Sequence, residues 1–208
     1  MSAVLSLLQR APVVPVVVLE DVDHAVPLAR ALVEGGLPVV EVTLRTPAAL
    51  PALRRIADEV PEAVVGAGTV VLPQDVEAAV EAGAQFLVSP GATPTLLDAM
   101  AAVDVPSLPG AATASEVVAL VERGVTVAKF FPAKAAGGTA MLASLAGPFP
   151  QVRFCPTGGI DLASAPDYLA LANVVCVGGS WLTPRDAVSA GDWGRIATLA
   201  RQAATLRH

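Results

Sequence analysis

The sequence predicts one α/β domain over residues 1–208, built as a (β/α)8 (TIM) barrel with a short N-terminal helix. Strand-like and helix-like segments alternate eight times, with a period of roughly 20–25 residues that suits such barrels. The strand-like segments are rich in valine and apolar on both faces, as parallel strands covered by helices are. The length of 208 residues also fits one barrel. An open doubly wound sheet is the alternative.

Each strand is predicted from a short apolar run that is bounded by glycine, proline or charged residues. Pro15 is compatible with the first strand because it stands near the beginning of the run. In chain order, the predicted strands span residues 13–19, 38–44, 63–67, 86–89, 105–108, 125–131, 152–155 and 174–177.

Capping residues and helix breakers predict where the helices lie. Asp23, Asp161 and Asp192 are candidate N-caps, and Pro47 and Pro73 are expected to open helices. Thr113 and Glu116 have the spacing of a capping box. In chain order, the predicted helices span residues 2–9, 23–33, 47–60, 73–82, 93–103, 113–124, 139–146, 161–171 and 192–206.

Composition excludes several classes of protein. Apolar residues make up 54% of the chain, which predicts a large core, but no apolar run approaches the ~20 residues that a membrane span needs. The net charge of −6 and the lack of a basic cluster argue against a nucleic-acid surface. The first residues lack the pattern of a signal peptide, so we expect a cytoplasmic protein that binds neither nucleic acid nor membrane.

Cysteine and histidine are scarce. Cys155 and Cys176 both lie in apolar strand-like segments, and buried free thiols are favoured over a disulfide in a cytoplasmic protein with a large core. His24 and His208 are the only histidines, so no zinc-binding cluster can be assembled. We therefore expect no metal site and no cofactor.

One lysine, Lys129, stands in the middle of the sixth predicted strand. The chain has only one other lysine, Lys134, against eleven arginines. A buried ammonium is costly unless it is paired or gives up its proton, and a neutral amine is the nucleophile that Schiff-base chemistry requires. We therefore predict that Lys129 is catalytic. The alternative is a lysine that reaches water or pairs with an acid for structural reasons alone.

The second predicted strand carries an acid, Glu41, within an apolar run. Side chains alternate along a strand, so Glu41, Thr43 and Arg45 share one face. If this face and the face of Lys129 both point inward, the two charged groups can meet inside the barrel. A pair kept only for neutralisation is the alternative, but such pairs are often no better for stability than apolar residues.

Glycines follow several of the predicted strands, at the end of the barrel where active sites lie. Gly66 and Gly68 end the third strand beside Thr69, where the glycines would let a ligand approach the backbone or would simply form a turn. The seventh and eighth strands are followed by the glycine pairs of residues 158–159 and 178–179. Two such pairs at these positions predict a phosphate on the substrate.

Six motifs together resemble the class I family of 2-keto-3-deoxy-6-phosphogluconate (KDPG) and 4-hydroxy-2-oxoglutarate (KHG) aldolases. They span nearly the whole chain in order, and the set is highly specific. The motifs are Glu41-Val42-Thr43-Leu44-Arg45-Thr46, Gly66-Ala67-Gly68-Thr69, Ser89-Pro90-Gly91, Lys129-Phe130-Phe131-Pro132-Ala133, Arg153-Phe154-Cys155-Pro156-Thr157-Gly158-Gly159 and Gly178-Gly179-Ser180-Trp181.

The resemblance implies a homotrimeric barrel that cleaves KDPG reversibly to pyruvate and glyceraldehyde 3-phosphate without a cofactor. It implies that Lys129 forms the Schiff base and that Glu41 moves protons. Thr157 favours this activity over that of galactonate-specific relatives. The implied substrate-binding residues are Arg45, Thr69 and Thr157 for the carboxylate and nearby oxygens, Pro90 and Phe131 for the pocket walls, and Gly158, Gly159, Gly179 and Ser180 for the phosphate.

Two other functions remain open from the residues themselves. A phosphate-binding isomerase or epimerase could use Glu41 as a base, with Lys129 acting only through its charge. A sugar-phosphate sensor without catalytic activity could use the same glycines. Neither alternative requires a lysine inside an apolar strand, so Lys129 favours the aldolase.

Overall fold

In the computed structural model, which describes residues 3–206, parallel strands alternate with helices along the chain. Ser2, where the leading helix was expected to begin, and His208 lie outside the described residues. The strands are β1 (Val13–Val17), β2 (Val39–Thr43), β3 (Val64–Gly68), β4 (Leu87–Val88), β5 (Ser107–Leu108), β6 (Gly110–Ala111), β7 (Val127–Phe130), β8 (Arg153–Pro156) and β9 (Val177–Gly179).

Helices cover the strands from outside, and a 3₁₀ turn (Val22–His24) precedes the second helix. No helix within residues 3–206 is both long and apolar enough to cross a bilayer. The helices are α1 (Ala3–Leu8), α2 (Ala25–Glu34), α3 (Ala49–Glu59), α4 (Pro73–Glu81), α5 (Pro94–Ala101), α6 (Ala114–Glu122), α7 (Gly138–Ala146), α8 (Ala165–Leu169), α9 (Arg185–Ser189) and α10 (Trp193–Ala204).

The strands form two curled parallel sheets that continue into each other. One has the order β5-β4-β3-β2-β1-β9 and the other the order β6-β7-β8. Only Pro109 separates β5 from β6, and Thr157 after β8 forms a bridge to Gly178 in β9. The α/β barrel class is therefore confirmed, and the open sheet is not supported. In this order β2 and β7 lie on opposite sides of the interior.

Apolar side chains divide into an inner and an outer layer. On β2, Val39 packs in the inner cluster, whereas Val40 and Val42 pack in the outer cluster between sheet and helices. Three residues of α1 belong to the inner cluster with the first residues of several strands, so α1 closes the amino-terminal end of the barrel: Val4, Leu7 and Leu8. The carboxyl-terminal end of the barrel, where active sites of such barrels lie, is not covered by α1.

Several predicted boundaries move. The fifth predicted strand, residues 105–108, is a strand only at Ser107–Leu108, and the short strand β6 that follows Pro109 was not predicted. The eighth begins at Val177, because Val174 makes only an isolated bridge to Phe154. Asp23 is not the N-cap of α2: Asp21 caps the 3₁₀ turn instead, by accepting a hydrogen bond from the Asp23 amide. Helix α9 was not predicted.

Of the other predicted helix starts, Asp161 and Pro47 are wrong, because α8 has Ser164 and α3 has Ala48 as its N-cap. The remaining three are confirmed. Thr113 and Glu116 form the reciprocal capping box at the start of α6. The carboxylate of Asp192 accepts a hydrogen bond from the Arg195 amide at the start of α10. Pro73 is the first residue of α4. These helix starts were predictable from the sequence because each depends on only three or four neighbouring residues.

Candidate active site

A lysine and a glutamate meet inside the barrel. The Nζ atom of Lys129, on β7, donates a hydrogen bond to Oε1 of Glu41, on β2, over 3.0 Å. Both side chains are 4% exposed. The prediction that the two strand faces point inward is therefore confirmed, and Lys129 does not reach bulk water.

The burial of this ion pair calls for a functional explanation. Removing two charges from water costs free energy that their attraction repays only in part, so apolar residues of similar volume would stabilise the interior at least as well. A lysine beside a carboxylate in a dry site can instead exchange a proton with it and act as a nucleophile. The geometry therefore favours covalent chemistry over simple neutralisation.

The space for the Glu41 carboxylate comes from a glycine. A Cβ atom on Gly68 would overlap Oε1, Cγ and Cδ of Glu41, and a Cβ atom on Gly66 would overlap the ring of Phe86. Protein side chains fill the space beside both glycines, so the structure gives these glycines a packing role that was not predicted from the sequence. The strand β3 lacks a side chain at Gly68, and this leaves room for the Glu41 carboxylate beside it.

Two thiols lie close to this pair. Cys155 faces Lys129 in the β7–β8 register, and its sulfur accepts a hydrogen bond from the thiol of Cys176 over 3.5 Å. Both cysteines are free and buried, as predicted. The hydrogen bond to Cys155, together with burial and the nearby charge of Glu41, raises the pKa of Cys176 well above its ordinary value. The thiol is thereby kept neutral beside the ion pair.

An arginine and a threonine meet above Glu41. Nε of Arg45 donates a hydrogen bond to the hydroxyl of Thr69 over 3.0 Å. Thr69 has a φ of 61°, a left-handed conformation that is rare for a β-branched residue and is concentrated at functional sites. The guanidinium keeps other N–H groups for a carboxylate. Arg45 and Thr69, which were both predicted to bind the substrate, are therefore in direct contact.

Two hydroxyl groups that sequence reasoning did not assign hold the segment around Arg45. Thr43 donates a hydrogen bond to the carbonyl of Val17 over 2.8 Å, and Thr46 donates one to the carbonyl of Leu19. These two hydrogen bonds join the end of β2 to the end of β1, in addition to the backbone pairing of the two strands. No local sequence signal could have suggested this role, since the two hydroxyls bond to backbone 26 and 27 residues away in the chain.

The predicted wall residues flank Lys129. The ring centroid of Phe131 lies 5.6 Å from Lys129 Nζ. Gly110 pairs with Lys129 in the β6–β7 register, and a Cβ atom on Gly110 would overlap the backbone carbonyl group of Pro90. Phe131 and Pro90 are both half-buried, with Phe131 beside the nitrogen and Pro90 against the residue that pairs with Lys129 in the sheet.

Thr157 presents a buried hydroxyl group that has no hydrogen-bond partner within residues 3–206. A Cβ atom on Gly178 would overlap this hydroxyl, so Gly178 makes room for it. Buried hydroxyl groups in proteins are nearly always bonded to protein, water or ligand. The Thr157 hydroxyl therefore lacks a partner among the described residues and can bond to a water molecule or to a ligand oxygen that reaches it.

The two glycine pairs differ in their surroundings. Gly158 and Gly159 both have positive φ angles, 105° and 74°, and form a turn that other residue types would strain. Gly179 lies under the ring of Trp181, which a Cβ atom there would overlap. Ser180 is exposed and lines a cavity of about 650 Å³ together with Arg45. The predicted phosphate residues thus lie around the carboxyl ends of β8 and β9.

Comparisons with known proteins agree with this site. A family model described as KDPG and KHG aldolase matches residues 4–199. The KHG/KDPG aldolase of Escherichia coli strain K12 is 56% identical over 198 residues, which cover 95% of this chain and 93% of that protein. The 2-dehydro-3-deoxy-phosphogluconate aldolase of Zymomonas mobilis is 48% identical over 202 residues, covering 97% and 95%.

Solved structures give the same result. The crystal structure of the KDPG aldolase from Legionella pneumophila has pyruvate captured at low pH as a covalent carbinolamine intermediate. It matches this structure with a TM-score of 0.96 at 44% sequence identity, and the match covers 98% of this chain and 99% of that one. With its buried lysine–glutamate pair and these relatives over nearly its whole length, the chain belongs to the KDPG and KHG aldolase family.

Proposed function

We propose that this protein is a class I aldolase. It reversibly cleaves KDPG to pyruvate and D-glyceraldehyde 3-phosphate, and 4-hydroxy-2-oxoglutarate to pyruvate and glyoxylate. The observation that carries the proposal is the 3.0 Å contact between the buried Nζ of Lys129 and Oε1 of Glu41. The names of relatives at 45–56% identity support the same reaction.

Lys129 is the nucleophile in this proposal. Its neutral amine adds to the C2 ketone and gives a carbinolamine, which loses water and becomes a protonated imine. When the C3–C4 bond breaks, its electron pair moves to the imine nitrogen and leaves an enamine. The imine therefore accepts the two electrons of the broken bond.

Glu41 moves the protons. It hands a proton to the carbinolamine hydroxyl, which leaves as water, and the resulting carboxylate takes the proton from the C4 hydroxyl as the aldehyde forms. It then delivers that proton to C3 of the enamine, and water hydrolyses the pyruvate imine. One carboxylate can serve every step because its oxygen already lies within hydrogen-bond distance of Lys129.

The remaining predicted residues bind the substrate. We assign the pyruvate carboxylate to Arg45 and Thr69, whose mutual hydrogen bond fixes the guanidinium, and a neighbouring oxygen to the unpartnered hydroxyl of Thr157. Pro90 and Phe131 form the walls that keep water from the imine. The distal phosphate is assigned to the turns after β8 and β9, at Gly158, Gly159, Gly179 and Ser180.

The assembly and location are proposals as well. We propose that residues 1–208 form one aldolase domain, that three copies assemble into a homotrimer, and that the protein acts in the cytoplasm. Exposed apolar side chains at Val71 and Leu72, 50% and 49% exposed, support a contact between subunits next to Thr69. Light scattering on the purified protein tests the trimer, which a monomeric mass would overturn.

Cleavage assays test the activity. The wild-type protein with KDPG should release pyruvate and glyceraldehyde 3-phosphate in equal amounts, and Lys129→Met should release neither. An isomerase or epimerase would consume KDPG without releasing pyruvate. A sensor would bind KDPG and leave it unchanged, so the product spectrum separates the three functions.

A further inference from the structure

The second lysine of the chain, Lys134, lies against the glycine turn after β8. A Cβ atom on Gly159 would be 2.8 Å from Cβ and 3.1 Å from Cδ of Lys134, so the aliphatic part of the lysine crosses the face of this glycine. The Lys134 amide also donates a hydrogen bond to the carbonyl of Gly158 over 3.0 Å. Backbone and side chain together hold Lys134 at this turn.

A continuous path leads from the reacting nitrogen to Lys134. The Phe131 ring lies beside Lys129 Nζ, and two of its carbons would lie 3.4 Å from a Cβ atom on Gly158. Gly159 follows Gly158 in the chain and contacts Lys134. A substrate that reacts with Lys129 through its ketone and places its other end at the glycine turn therefore extends toward Lys134.

The charge of Lys134 is available at this position. Within residues 3–206 its ammonium group forms no salt bridge, whereas Arg185, which lines the cavity beside Ser180, is paired with Glu20 over 3.2 Å. The hydrogen bonds that the Asp161 carboxylate accepts from the amide and the hydroxyl of Ser164, over 2.9 and 2.8 Å, are the main cause of its lowered pKa, and the charge of Lys134 lowers this pKa further without a direct ion pair. In a chain of net charge −6, a local cation that forms no salt bridge within residues 3–206 is what a dianionic ligand needs.

We propose that Lys134 is a specificity-determining residue that attracts the distal phosphate of the substrate and favours phosphorylated over unphosphorylated keto acids. This inference rests on the proposed aldolase function. Lysine is suited to the role because its flexible ammonium can follow a phosphate as a point charge without fixed geometry. Lys134 takes no part in bond making, so the chemistry at Lys129 does not depend on it.

Four proteins test the inference: the wild type, Lys134→Gln, Lys134→Arg and Arg123→Gln. Arg123 caps the end of α6, which precedes β7, so it lies at the opposite end of the barrel from Lys134 and provides the same change of charge away from the site. Two activities are measured: kcat and KM for KDPG cleavage, and the exchange of pyruvate methyl protons with solvent, which requires the imine but no phosphate.

Lys134→Gln is expected to lower kcat/KM for KDPG about 3- to 10-fold, mainly through KM, since exposed ion pairs contribute modestly. Raising the salt concentration should shrink this difference, because the interaction is screened. Pyruvate exchange should stay within about twofold of wild type, because pyruvate carries no phosphate for Lys134 to attract. Lys134→Arg should restore KDPG cleavage, and Arg123→Gln should change neither activity.

The inference is overturned if Lys134→Gln leaves KDPG cleavage unchanged, or if it lowers cleavage and pyruvate exchange by the same factor. The second result would mark Lys134 as a structural residue. Both results presuppose that the wild type cleaves KDPG. A wild-type protein that cleaves no KDPG would instead overturn the proposed function itself, and the inference with it.

Discussion

Gly68 and Glu41 face each other on neighbouring strands so closely that a single methyl group on the glycine would overlap the carboxylate. The alanine variant therefore tests whether the position of this carboxylate matters. Gly68→Ala should displace Glu41 from Lys129 and lower kcat for KDPG cleavage by at least ~100-fold, the usual contribution of a positioned acid–base group. Steady-state kinetics measures the loss.

A matched control separates this effect from a general cost of adding a methyl group. A Cβ atom on Gly147, at the end of α7, would have its nearest neighbour 4.0 Å away, and the residue has a φ of −63°. Gly147→Ala should therefore retain normal turnover. If Gly68→Ala also turns over at the wild-type rate, the assigned role of Glu41 is wrong.

The Thr69 hydroxyl should contribute to substrate binding rather than to bond cleavage. Thr69→Val keeps the shape of the side chain but removes the acceptor for Arg45 Nε, so kcat/KM for KDPG should fall about tenfold, mostly through KM. Thr69→Ser keeps the hydroxyl and should stay near wild type. Normal kcat/KM in Thr69→Val together with a loss in Thr69→Ser would show that shape, not the hydrogen bond, is what matters at this position.

The raised pKa of Cys176 predicts a loss of stability in alkali. Its thiol stays protonated in the folded protein while the unfolded chain ionises, so its contribution is full below the unfolded pKa of about 8.5 and is lost as the pH rises above that value. The free energy of unfolding, measured in urea, should fall with pH by up to about 1.4 kcal/mol per unit from this group.

Cys176→Ala isolates the effect, because the fall above pH ~8.5 should be shallower in this variant than in the wild type. A thiol reagent should label neither cysteine of the folded protein at pH 8, and both after unfolding in urea. Rapid labelling of the native protein, or identical alkaline profiles for the two proteins, would contradict the buried, neutral thiol.

Metal chelators should leave cleavage unchanged, because the protonated imine accepts the electrons of the broken bond without a metal ion. The test is the KDPG cleavage rate before and after prolonged treatment with EDTA. Activity that disappears and returns with zinc or magnesium would show instead a metal-dependent aldolase.

The charged pair was predictable from sequence because two costly residues, Lys129 and Glu41, interrupt apolar strands, and alternation along a strand fixes which face each one shares. The parallel barrel followed from the same runs. Their meeting also required that β2 and β7 stand opposite each other, which follows when the predicted strands close in chain order into a barrel.

Other features depend on three-dimensional neighbours that local patterns do not contain. The partners of Gly66 and Gly68 could not be read from the chain, since a glycine does not show which side chain occupies the space it leaves. The left-handed backbone of Thr69 contradicts its residue preference. The start of β9 was misplaced because residues 174–177 are uniformly apolar, so no polar residue marks where the ladder with β1 begins.

Reduction with borohydride in the presence of pyruvate tests the central claim most directly. An imine between pyruvate and Lys129 would be reduced to a stable secondary amine, so intact-mass spectra should show one adduct per chain, and peptide mapping should locate it at Lys129 and not at Lys134. Lys129→Met should gain no adduct. A wild-type protein that remains unmodified, or that carries the adduct on Lys134, would contradict the account.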